Sequence, residues 1–119
     1  MTNTTFTAQV RSRPGLATID LSGEINAFAE ELLNRAYAEA EGFNPSAIML
    51  NFARVGYINS TGIALIVALL ARARKTNRSF LVCGLSEHYR EIFQITRLAD
   101  FMDIYPDEAT ALQSAANVS

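Results

Sequence analysis

Cysteine, histidine and net charge are all scarce in this sequence, and tryptophan is absent. The single cysteine, Cys83, excludes an internal disulfide. Its place in the apolar run Phe80-Leu81-Val82-Cys83 makes it a small buried hydrophobe rather than a reactive thiol. One histidine and one cysteine do not make a usual nitrogen–sulfur metal set, and no loop carries acidic residues at regular spacing. The spacings CxxC, HExxH, GxGxxG and G-x-S-x-G are missing, as is a complete phosphate-loop signature. His88 lies beside Glu87 and lacks the positioned partner a general base needs, so it reads as a solvated helix residue. The formal net charge is −2, from 10 basic and 12 acidic residues, which leaves no electrostatic footprint for nucleic acid. No charged-then-apolar leader opens the chain. The apolar run Ile63 to Ala71 falls far short of the ~20 residues that span a membrane. These absences predict a cytoplasmic protein with no cofactor, no metal and no catalytic residues.

Half of the 119 residues are hydrophobic, enough for one domain with a core of its own. Phe6, Ala8 and Val10 alternate with polar residues, and Leu16 to Leu21 forms a second short strand after the turn signal Arg13-Pro14-Gly15. Gly23 breaks that pattern. From Ala27 to Glu41 the period becomes helical, with Phe28, Leu32, Leu33, Ala36, Tyr37 and Ala40 recurring on the inner side. Gly42 and Pro45 stop this helix. Ile48 to Phe52 suits a central strand covered on both faces. A helix runs on to near Asn77, followed by a strand from Ser79 to Cys83. Ser86 caps a short helix carrying Tyr89, Ile92 and Phe93. A last strand spans Phe101 to Tyr105, Asp107 caps the final helix, and Asn117-Val118-Ser119 forms a fraying tail. The order β-β-α-β-α-β-α-β-α predicts an α/β fold with a mostly parallel mixed sheet, an N-terminal hairpin and about four helices. Arg72, Arg74, Lys75 and Arg78 follow an apolar helix and read as cations complementing its C-terminal dipole, not as an anion site.

The stretch Tyr57-Ile58-Asn59-Ser60-Thr61-Gly62 places two hydroxyls where a strand hands over to a helix. Serine is a strong N-cap, so capping alone accounts for Ser60. Yet the loops after central strands are where α/β sheets carry their functional sites. A helix N-terminus also favours negative charge, such as a phosphate added to Ser60 or Thr61. Gly62 leaves the backbone there accessible.

Several segments together resemble the STAS domain, and within it the bacterial anti-sigma factor antagonists. They are Gly23-Glu24-Ile25-Asn26, Ile48 to Phe52, Tyr57 to Ile63, Leu81 to Leu85, and Phe93-Gln94-Ile95-Thr96-Arg97-Leu98. The resemblance implies a single STAS domain over 1–119, with its core at about 5–116. It implies a binding module without catalysis, switched by phosphorylation at Ser60, with Thr61 as second choice. The partners implied are a serine kinase that doubles as an anti-sigma factor and a PP2C-type phosphatase that restores the binding form. Asn26, Asn59, Ser60, Thr61 and Gly62 are the partner-binding residues it implies. Two other readings compete: a structural adaptor in a signalling scaffold or transporter complex, and a nucleotide- or anion-sensing domain. This chain departs from the family in having Asn59 and Asn26 where aspartate is usual, and Arg97 where glycine is frequent.

Overall fold

The structure is a computed structural model that describes residues 5–117, with side chains described as far as Ser114. The expected tail residues Val118 and Ser119 lie outside the described residues, and Asn117 is the last residue of a helix. Among the described residues, five strands form one sheet, β1 (Thr7–Arg13), β2 (Leu16–Ile25), β3 (Ala47–Ile58), β4 (Ser79–Cys83) and β5 (Asp103–Tyr105), in sequential order. β1 is antiparallel to β2 and every other pairing is parallel. Four α-helices connect or follow them: α1 (Glu30–Gly42), α2 (Ser60–Lys75), α3 (Glu87–Ile95) and α4 (Glu108–Asn117). The expected element order and the mixed, mostly parallel sheet are therefore both present.

Strand alternation divides the core into two unequal parts. Ala17, Ile19, Leu21, Ile48, Leu50, Phe52, Phe80 and Val82 point to one face. There they meet Leu33, Ala36 and Tyr37 of α1, Ile66, Leu69 and Leu70 of α2, and Tyr89 and Phe93 of α3. Fully burying one such Leu, Ile or Phe side chain stabilises by roughly 1.5–3 kcal/mol. The other face holds a smaller cluster, Leu16, Met49, Leu81 and Cys83 under Ala111 and Leu112 of α4. Ile48, Met49 and Leu50 are all fully buried, as a strand covered on both faces requires. Beside α4 the same face turns polar. Arg11 there donates to both Asp20 and Glu108, and Asn51 donates to Asp20 at 3.0 Å, which ties the hairpin to the final helix.

Several boundaries differ from the sequence reading, each for a local reason. β2 does not end at Leu21 but runs to Ile25, because Gly23 takes φ +98° at a register shift and keeps the strand going. A Cβ there would lie 2.9 Å from the Thr5 carbonyl oxygen. β3 does not stop at Phe52 but continues to Ile58, paired on its far half with β2. The helix expected from Ala27 begins instead with a 3-10 turn, Ala27–Ala29, and that tighter winding turns Phe28 outwards. Phe28 is 93% exposed and Leu32 is 42% exposed, so neither belongs to the core. α2 ends at Lys75, and a 3-10 turn, Leu98–Phe101, precedes the short β5. Three of the basic residues expected to follow the apolar helix, Arg72, Arg74 and Lys75, form the last turn of α2 itself. Arg72 bonds Glu41 and lies over the Tyr37 ring, and Arg78, beyond the helix, donates to the Pro45 carbonyl at 2.9 Å. Burial makes Cys83 the inert thiol expected and pushes its pKa up to about 11.

Candidate functional site

β2 and β3 finish side by side, with Ile25 in register with Ile58. Each is followed by an asparagine. The Asn59 side-chain oxygen accepts from Gly62 N at 2.8 Å, its carbonyl accepts from Ile63 N at 2.9 Å, and its own N–H reaches back to the Ile25 carbonyl at 3.2 Å. Asn59 is thus the N-cap of α2 and knits that helix to the end of β2. Asn26 does the same for the neighbouring turn. Its side-chain oxygen accepts from Phe28 N at 2.9 Å and its carbonyl from Ala29 N at 3.0 Å.

The cap role expected of Ser60 therefore belongs to Asn59. Ser60 is the first residue of α2, and both it and Thr61 are exposed. Because the cap is supplied one residue earlier, the Ser60 hydroxyl owes nothing to the helix start. Gly62, expected on an accessible backbone surface, is buried instead. A Cβ at Gly62 would stand 2.1 Å from the Ile25 carbonyl oxygen, so this glycine seats the helix against β2 rather than facing a partner. Of the five residues expected to bind a partner, the turn brings Asn26, Asn59, Ser60 and Thr61 together at one end of the sheet. Asn26 and Asn59 there are half-buried holders and the two hydroxyls are presented groups.

The electrostatics of α2 suit an added anion. Its first turn contains no acidic residue, and its last turn carries Arg72, Arg74 and Lys75. Tyr89 completes the support: its phenol oxygen accepts from Ile58 N at 2.8 Å inside the fold. His88 is exposed and makes an edge contact with the Tyr89 ring, in the solvated setting its sequence position predicts. No group of three metal-ligating side chains occurs among the described residues. What the arrangement offers chemically is a hydroxyl held out on a rigid, capped turn.

Sequence reasoning missed two participants here. One is the Tyr89 hydroxyl, which nothing in the local sequence links to Ile58. The other is Phe28, whose helical spacing disguised it as core. A signal for the paired turns was present in the repeated dipeptide Ile25-Asn26 and Ile58-Asn59, each at a strand end.

The STAS domain family model matches residues 7–111. This chain belongs to the STAS domain family. It is 26% identical over 86 residues to the anti-sigma-B factor antagonist of Staphylococcus epidermidis, covering 72% of this chain and 80% of that one. The anti-sigma-B factor antagonist of Staphylococcus aureus is similar at 24% identity over the same shares. Among solved structures, an anti-sigma factor antagonist from Mycobacterium paratuberculosis superposes with a TM-score of 0.81 at 22% identity, covering 95% of this chain and 96% of that one. The Bacillus cell fate determinant SpoIIAA in its phosphorylated form superposes with a TM-score of 0.71 at 21% identity, covering 92% and 99%. These likenesses establish a STAS fold shared with SpoIIAA.

Proposed function

We propose that this STAS protein is an anti-sigma factor antagonist, a regulatory binding module switched by phosphorylation of Ser60. In this reading the unmodified chain binds a serine kinase that is also an anti-sigma factor, and so frees the sigma factor. Phosphorylation at Ser60 releases the kinase, and a PP2C-type phosphatase resets the cycle. It acts in the cytoplasm; among the described residues, no helix is long and apolar enough to cross a membrane.

The observation that carries this reading is the exposed Ser60 hydroxyl at the first position of a helix already capped by Asn59. Phosphorylation adds about −1.5 to −2 charges at pH 7. The helix end favours that charge by roughly 0.3–1 kcal/mol, so the fold tolerates it. A partner covering the same turn meets a like-charge or desolvation penalty that can reach several kcal/mol. A hundredfold loss of affinity needs only about 2.8 kcal/mol, so no rearrangement of the sheet is required. The relatives named as anti-sigma factor antagonists and the phosphorylated form of SpoIIAA support the same reading.

The test is to incubate the protein with its kinase and ATP and to map the modified peptide. Phosphate is expected on Ser60, and phosphate found only outside Ser60 and Thr61 refutes the proposal. In titrations against the kinase, Ser60→Ala is expected to bind within about threefold of wild type and Ser60→Asp at least tenfold more weakly, a difference of about 1.4 kcal/mol. Equal affinities of the two variants defeat the electrostatic switch.

A further inference from the structure

Among the described residues, Phe28 is the most solvent-exposed of the large hydrophobic side chains, at 93%. It leaves unused the stabilisation that burying a phenyl ring contributes. Its backbone is nonetheless firmly held. Phe28 N is bonded to the Asn26 side chain, Ala29 behind it is fully buried, and the 3-10 turn packs against β2, α1 and α2. The ring is therefore displayed from a fixed turn.

That turn adjoins the Ser60 turn. The two follow neighbouring parallel strands, which lie about 4.8 Å apart. Both also lean on the Ile25 region: Asn59 N bonds the Ile25 carbonyl, Gly62 packs on the same carbonyl, and Asn26 follows it directly. An active site that closes on the Ser60 oxygen must lay its own surface over this neighbouring turn. Buried aromatic anchors amid energetically minor contacts are what binding hot spots consist of.

We propose that Phe28 is the apolar anchor by which the serine kinase docks on this chain, its ring entering a pocket beside the site that receives Ser60. This inference rests on Ser60 being the phosphoacceptor and adds a division of labour. Phe28 supplies affinity in both states, and the charge on Ser60 decides whether that affinity is used. A control is built into the fold. Ile95 is 76% exposed but closes α3, which runs from the end of β4 back towards the start of β5, away from Ser60.

The experiment uses the purified serine kinase that phosphorylates Ser60, with ADP bound, titrated calorimetrically with wild type, Phe28→Ala, Phe28→Leu, Ile95→Ala and Ser60→Asp. Phe28→Ala is expected to weaken binding about 30-fold or more, Phe28→Leu to recover part of the loss, and Ile95→Ala to stay within about threefold. In the phosphorylation assay Phe28→Ala should raise KM and leave kcat unchanged, because the acceptor itself is untouched. Its melting temperature should match wild type, since the ring is almost wholly in water. If Phe28→Ala binds like wild type while Ser60→Asp does not, the anchor is refuted and the switch stands. If Ser60→Asp also binds like wild type, the switch is refuted and the anchor with it.

Discussion

Replacing Gly62 with alanine should damage this fold more than any other single added methyl group at the site. The new Cβ would stand 2.1 Å from the Ile25 oxygen, 2.8 Å from the Ile25 carbonyl carbon and 2.9 Å from Ile58 Cγ2. Carbon atoms are comfortable at about 3.5–4.0 Å, so the start of α2 must retreat by roughly 1 Å. Two of the three closest atoms are backbone at the end of a paired strand, which cannot swing aside as a flexible side chain does. The retreat stretches the Asn59 N to Ile25 O bond, now 3.2 Å, and the Asn59 cap on Gly62 N, now 2.8 Å. Overpacking of this kind costs about 1–3 kcal/mol, and a weakened cap adds roughly 1 kcal/mol. Alanine's better helix propensity returns somewhat less than ~1 kcal/mol. The net loss is about 1–3 kcal/mol, or a melting point lower by roughly 4–12 °C for a domain of this size. Thermal unfolding followed by far-ultraviolet circular dichroism measures it. Gly56→Ala is the control, because nothing lies within 4 Å of a Cβ at that position. A Gly62→Ala protein melting within about 2 °C of both wild type and Gly56→Ala refutes the account of how α2 is seated.

Further outcomes follow from the same geometry. Asn59→Ala should lose about 1 kcal/mol of stability in urea titrations, whereas Asn59→Asp keeps the cap and adds charge at the helix start, so it should be at least as stable at pH 7. Arg97 sits at φ +67°, a left-handed conformation that glycine accepts and other residues resist; Arg97→Gly should raise the melting point by about 2 °C even though it gives up the exposed pair with Asp100. Burial raises the Cys83 thiol from 9.0 to about 11 and the Tyr37 phenol from 10.0 to about 12, so both stay protonated in the folded chain while they ionise in the unfolded one. Stability should therefore fall as pH rises from about 9 through 11, and Cys83→Ala should flatten the first part of that decline in urea midpoints measured across the range. A midpoint independent of pH in wild type over that interval would contradict the burial of both groups.

The regular parts of the fold were legible because their patterns are unambiguous. Ala17, Ile19 and Leu21 alternate, Ile48 to Leu50 are continuously apolar, and Leu33, Ala36, Tyr37 and Ala40 keep a helical period; each pattern has one sensible burial. The errors fall where one residue's backbone decides. Gly23 reads as a break, yet its positive φ carries β2 on to Ile25. Phe28 fits the helical period by number, but three residues of tighter winding before α1 rotate it out of the core. At the site the sequence points to the two exposed hydroxyls but to the wrong helix cap. Ser60 and Asn59 are both good caps in isolation, and only the hydrogen bond from Gly62 N shows which one serves. Gly62 reads as openness in sequence because a missing side chain looks the same whether solvent or another strand fills its place.

The opposed directions of the first strand and the last helix bear on how this protein can be handled. β1 begins opposite Ser22, near the sheet end that carries Ser60, whereas α4 delivers Ser114 to the Tyr105 hydroxyl and leads on towards the far end. A bulky fusion partner or surface tether joined ahead of β1 would crowd the switch end. One joined after α4 leaves that end open, which makes it the attachment point for biosensor and immobilisation work.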